Sequence, residues 1–200
     1  MLVNAAGNKI TGISEWPQPK RGQWVDGRSA KELAKHWTNG AGIPSDVLEL
    51  LEKRFGELTL SKGQPEFGTN LPPSNSAGPR MHDLWFLCDH SKLGTITVCV
   101  EGKADETFSQ TISKYEEDAQ KKWEENSQSQ AVNRLVELKK MIWDRRIPPN
   151  VGDLRYQLLS GLAGTGIQAA QDGSSTAVFL IHVFETSETL SFERARNDHD

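Results

Sequence analysis

Cysteine is scarce in this chain: Cys88 and Cys99 are the only two in 200 residues. Two thiols cannot build a disulfide framework. Both sit in apolar runs, so reduced core thiols are expected, as in an intracellular protein. Long hydrophobic runs are missing too, and none approaches the roughly 20 residues that a bilayer span needs. The opening MLVNAAGNKITG has no basic segment followed by an apolar one, so no signal peptide is expected and the placement is cytoplasmic. Nor is there an excess of basic charge: 23 Lys and Arg stand against 27 Asp and Glu, a net charge of −4. Such a balance is not built for strong nonspecific binding of nucleic acid, although a local basic groove is compatible with it. No Cys/His spacing suggests zinc, and His36, His90 and His199 are scattered. No serine or cysteine nucleophile has a recognisable elbow. The glycine-rich stretch at 161–166 lacks the Gly-Lys-Ser/Thr ending of a phosphate loop and follows a helical pattern rather than a strand.

What is present reads as one α/β domain of ordinary size behind an irregular leader, residues 1–28, whose Trp16 and Trp24 pack on the body. Ser29 and Glu32 have the spacing of a capping box and open a short helix with Leu33, Ala34 and Trp37 on one face. Pro44 suits the first turn of a second helix, whose Val47, Leu48, Leu51 and Phe55 recur at helical period before Gly56 ends it. Residues 57–62 are expected as a short strand. Residues 63–80, rich in Pro and Gly, are expected as a loop of the kind that is often functional. Helices are expected over 111–126, 131–143, 154–171 and 187–196. The continuous apolar run at 176–184 reads as a strand buried on both faces, with His182 a hydrogen-bonded core residue.

The most informative segment is 83–103, DLWFLCDHSKLGTITVCVEGK. Two strand-like runs, 83–88 and 95–101, flank a polar turn and form a hairpin. With the turn centred near Lys92, Asp83 falls across the ladder from Glu101, where Cβ atoms lie about 5 Å apart. Lys103 shares the face of Glu101. Two carboxylates and an ammonium then converge at one end of a rigid apolar hairpin. Paired carboxylates repel, and a hard divalent cation relieves that repulsion while drawing further ligands from water and phosphate. Such an ion acidifies a bound water and offsets charge building on phosphorus, and a neighbouring lysine orients that water or stabilises the phosphate.

Asp83 followed by Glu101-Gly102-Lys103 on the next strand resembles the D…ExK signature of the PD-(D/E)XK nuclease superfamily. That superfamily's core of helix, three strands, helix and strand matches the order read here over 45–184. The stretch VEGKADETF, with LRYQLL and a buried strand beyond, also resembles an uncharacterised bacterial family placed in that superfamily. The resemblance implies a restriction-endonuclease-like mixed sheet of about four strands flanked by helices. It implies an Mg²⁺- or Mn²⁺-dependent phosphodiesterase that hydrolyses nucleic acid, DNA first, with metal-bound water. Asp83 and Glu101 would hold the metal and Lys103 would assist catalysis. Many members add an acid from the first core helix, for which Glu49 and Glu52 are candidates, Glu32 being better explained as a cap. Some carry a glutamine on the helix before the last strand, which would be Gln157, with Arg155 beside it as a second substrate contact. His82 stands where the motif name has proline. Asp105-Glu106 either extends the acidic cluster or, as such pairs more often do, caps the next helix. A homodimer or a partner subunit is compatible with this reading, and its alternative is a catalytically inactive binding module on the same scaffold.

Overall fold

Alternation in the two hairpin runs gives each strand two different faces, and two groups of helices cover them. The structure is a computed structural model that describes residues 1–19, 22–40, 42–73, 78–104, 106–144 and 146–186. Four strands, β1 (Thr59–Thr69), β2 (Arg80–His90), β3 (Gly94–Lys103) and β4 (Thr176–Val183), form one sheet in the order β1-β2-β3-β4. The first three are antiparallel and β4 runs parallel to β3. Helices α1 (Ser29–Thr38) and α2 (Ser45–Phe55) precede the sheet. Between β3 and β4 come α3 (Ile112–Glu125), α4 (Ala131–Trp143) and α5 (Tyr156–Gln171). The fold is therefore α/β, a four-stranded mixed sheet flanked by helices, in the expected element order.

Leu84, Phe86, Cys88, Ile96, Val98 and Val100 join Leu33, Trp37, Val47 and Leu51 of α1 and α2 in the larger core. Odd-numbered side chains face α5: the Trp85 indole and the Thr97 hydroxyl both donate to Asp172 at the end of that helix. A second core joins Ile112, Leu135, Leu138, Leu159 and Ala163, where α3 and α4 pack on α5. Close approach explains a glycine in α5, because a methyl at Gly161 would lie 2.3 Å from Cζ of Phe179 on β4. Trp16 is buried and Trp24 packs against the larger core, as expected of the leader. Cys88 and Cys99 are buried free thiols, and burial pushes both up to about 12.

Four expectations change. The strand expected at 57–62 extends to Thr69 and absorbs the first seven residues of the expected loop. Pro65 is tolerated there because β1 is an edge strand, where a missing N–H breaks no inner ladder. On the outer side of β1, Gly63 pairs instead with the leader, donating to the Met1 carbonyl and accepting from Val3. Strand β4 is half-buried rather than buried, because it is the outer strand on its side among the described residues. The Ser29–Glu32 box forms only in part: Arg28 is the N-cap of α1, and Glu32 reaches back to the Gly27 N–H. Thr111, not an acidic pair, caps α3 by accepting from Lys114. The helix expected over 187–196 and residue Asp105 lie outside the described residues.

Candidate functional site

The hairpin register is the expected one. Leu84 pairs with Val100, which puts Asp83 one step beyond the last pair and level with Glu101. At that point alternation along β2 breaks. Leu84 belongs to the α1–α2 core. Trp85 bonds at the end of α5, and His82 Nε2 lies where a methyl on Gly164 of α5 would be only 3.1 Å away. Residues 82 and 85 thus share a face although they are three apart, and Asp83 sits at the turnover. On β1 the matching position is Glu66, flanked by the pairs Pro65–Leu84 and Phe67–His82. Its φ of +50° is in the left-handed region, which a residue with a Cβ enters only at a cost.

These side chains line a cleft of about 290 Å³ at the end of the hairpin. Its described walls carry four carboxylates, Glu66, Asp83, Glu101 and Glu106, against two cations, Arg28 and Lys103. Glu101 is 2% exposed and Lys103 4%, so both are held inside the fold rather than on a solvated hairpin tip. Lys103 Nζ donates to Glu101 Oε1 at 2.7 Å and lies 5.2 Å from the centre of the Phe108 ring. Gln157 Nε2 donates to the same Oε1, and Arg80 donates to Oε2. Asp83 Oδ2 accepts the Gly102 backbone N–H at 2.7 Å.

Electrostatics follow from this crowding. Burial first, then the charge of Glu101, pushes Asp83 from 3.8 up to about 8, against the pull of the Gly102 N–H and Lys103. Glu66 is also raised, by burial and then by Glu101. The donor set around Asp83 is all oxygen, with Glu66 and Glu101 as its acidic neighbours and Arg80 and Lys103 both paired with Glu101. That composition fits a hard divalent cation, which takes carboxylate and water oxygens.

Of the residues named from sequence, Asp83, Glu101, Lys103 and Gln157 meet in this cleft. Glu49 and Glu52 do not line it; Glu52 Oε1 instead accepts from the Leu58 N–H at 3.4 Å, at the end of α2. Arg155 does not line it either: it donates to the Ser109 carbonyl and ties the 106–111 segment to the start of α5. Glu106 belongs to the cleft, where it accepts from the Ser29 hydroxyl rather than capping a helix. Sequence reasoning missed Glu66 and Arg80. Glu66 was hidden in a stretch read as loop. Arg80 pairs with Glu101 because it opens the strand that carries Asp83, a signal available once the strand is extended three residues backward.

A second cluster was also missed. His36, Asp46 and His182, far apart in sequence, offer ligand atoms that all lie within 4.8 Å of one another. His182 is not the hydrogen-bonded core residue expected: its Nδ1 is buried without a partner, and its Nε2 stands 3.9 Å from Asp46.

Among the described residues, no helix is long and apolar enough to cross a membrane. No curated protein and no solved structure matches the chain. Residues 9–198 match a family described as a domain of unknown function, DUF6946, and the chain belongs to that family.

Proposed function

We propose that the cleft is the active site of a divalent-metal-dependent phosphodiesterase of PD-(D/E)XK type acting on nucleic acid, DNA first. One observation carries the reading: Asp83, Glu101, Lys103 and Gln157, picked out from a three-residue motif and its helix partner, line one cleft with Glu66. Asp83 and Glu101 would hold Mg²⁺ or Mn²⁺, with Glu66 as the added acid. Bound there, the ion would supply charge neutralisation at the phosphate and an acidified water.

The chain's own groups have separable tasks. Asp83, raised to about 8, keeps its proton at neutral pH and would release it when a cation takes its place. The Gly102 N–H fixes which way that carboxyl points. Lys103, ion-paired with Glu101, is a donor, and its role is to stabilise charge that develops on the phosphoryl oxygens. Gln157 holds Oε1 of Glu101 from the α5 side and limits its rotation.

The test is cleavage of plasmid and single-stranded DNA by purified protein with Mg²⁺ or Mn²⁺. Cutting should stop with EDTA and in Lys103→Ala. Cutting that persists in that variant assigns the activity elsewhere. One observation favours the alternative, an inactive binding module: both oxygens of Glu101 are already engaged by Arg80, Lys103 and Gln157. Calorimetric titration with Mg²⁺ separates the two, since absence of binding in the millimolar range favours the binding module.

A further inference from the structure

We infer that His36, Asp46 and His182 form a transition-metal site, with zinc the first candidate, at the end of α1 away from the acidic cleft. His182 pairs in register with Gly102, next to Glu101 and Lys103 on β3. A methyl at Gly102 would meet Asp83 Oδ2, then Leu33 and Ser29 of α1, so this register position faces α1 beside the acidic cleft, whereas Glu101 faces Gln157 of α5. Ser29, in the first turn of α1, borders the acidic cleft and His36 lies in the last turn, so the two sites stand at opposite ends of α1. The inference stands whether or not the acidic cleft is catalytic.

Three elements converge on the cluster. His36 comes from the last turn of α1, Asp46 from the first turn of α2, and His182 from the end of β4. Both imidazoles aim Nε2 at one carboxylate, His36 at 2.8 Å from Oδ1 and His182 at 3.9 Å from Oδ2. The second contact is too long for a hydrogen bond. His182 is thus a largely buried ring, 11% exposed, whose Nδ1 is buried without a partner and whose Nε2 stands beyond hydrogen-bond distance of Asp46. An ion on Nε2 would give this ring the partner that, among the described residues, no protein group within hydrogen-bond distance supplies. Its ring is already fixed, stacked on Phe184 at 4.2 Å and meeting the edge of His36 at 5.1 Å.

The spacings suit the ion. Zinc bound at about 2.0–2.1 Å in tetrahedral geometry sets its ligand atoms about 3.3 Å apart. The separations here bracket that value, with the outer limit at 4.8 Å. Two imidazoles and one carboxylate select a borderline transition metal over Mg²⁺, which prefers oxygen. Three protein ligands leave a position open, and His36 also lines an open cleft of about 500 Å³ with Lys35, Asn39 and Phe184. Phe184 in turn donates its N–H to the Lys103 carbonyl at 2.7 Å. An ion here would clasp the ends of α1 and β4 at the strand that carries Lys103.

The test uses untagged full-length protein, Zn²⁺ in calorimetry and Co²⁺ in visible absorption, where tetrahedral coordination gives intense bands. One equivalent should bind and raise the melting temperature. The Asp83→Asn/Glu101→Gln double variant should keep this site. His36→Ala and His182→Ala, checked as folded by circular dichroism, should lose affinity by more than the roughly 10–100-fold typical of losing an outer-shell partner. If His182→Ala fails to fold, His182→Asn and Asp46→Asn take its place. Binding unchanged in the folded variants, or no one-to-one binding by folded wild-type protein, overturns the inference.

Discussion

The backbone N–H of Gly102 donates to the side chain of Asp83 at 2.7 Å, so the β2–β3 ladder ends in a carboxylate instead of a carbonyl. This bond places an acid beside Glu101 at a sheet end that is largely closed to water. The pKa of about 8 at Asp83 is the consequence, and it has a sign that can be measured.

An acid raised from 3.8 to about 8 keeps its proton in the folded protein after the unfolded chain has lost it. The folded state then binds more protons, so stability is full below about 3.8 and is lost as pH rises through 8. Asp83→Asn removes the titration and keeps an oxygen for the Gly102 N–H. Its stability relative to wild type should grow between those limits, reaching on the order of 2–4 kcal/mol, and then level off. Urea denaturation at several pH values without divalent ions measures this. A variant that loses ground to wild type with rising pH would sink the assignment.

His82 predicts the opposite slope. Its ring is fully buried with neither nitrogen bonded, and burial, then Arg80, lowers it from 6.5 to about 3. The unfolded chain takes up a proton that the folded one refuses. The stability present above 6.5 is therefore lost as pH falls toward 3. Replacing His82 with Leu should flatten this acid limb, with a difference from wild type of up to about 4 kcal/mol near the lower limit. Parallel acid limbs in the two proteins would show that other groups control acid unfolding.

The hairpin could be read from sequence because its signals agree: two apolar runs, a polar turn and one register that aligns them. That register delivered the Asp83–Glu101 juxtaposition, helical spacing delivered the helix α5, and the family resemblance singled out Gln157 on it. Glu66 could not be read in the same way. Pro65, Gly63 and Gly68 around it signal a loop, and it is the ladder with β2, with one added bridge from the leader at Gly63, that makes this stretch strand. Arg80 lay in the same misread loop. His36, Asp46 and His182 carry no local motif at all. Their meeting depends on α1, α2 and β4 packing together, which is tertiary information that no spacing encodes.

Gly161 tests how closely α5 lies on the sheet. A methyl there would sit 2.3 to 3.0 Å from three atoms of the Phe179 ring, which is far inside contact distance. Gly161→Ala should therefore destabilise the fold by about 1–3 kcal/mol despite the better helix propensity of alanine. Adding Phe179→Leu should recover most of the loss, which a thermal-melt double-mutant cycle would read as coupling. Additive effects would mean that the helix stands further from β4.

Glu66 separates backbone from charge at the cleft. Its φ of +50° disfavours any residue with a Cβ, and left-handed backbone costs such a residue roughly 1–2 kcal/mol relative to glycine. In strands and helices glycine is normally the worse choice than alanine by about 0.5–1 kcal/mol. Here the order should reverse, with Glu66→Gly more stable than Glu66→Ala by about 1 kcal/mol in urea denaturation. Both changes remove the same carboxylate, so both should lower the pKa of Asp83 and weaken Mg²⁺ binding to the same extent. Equal stability of the two variants would remove the strain from Glu66. Unchanged Mg²⁺ affinity in both would remove its carboxylate from the ion's ligands, leaving Asp83 and Glu101 to hold it alone.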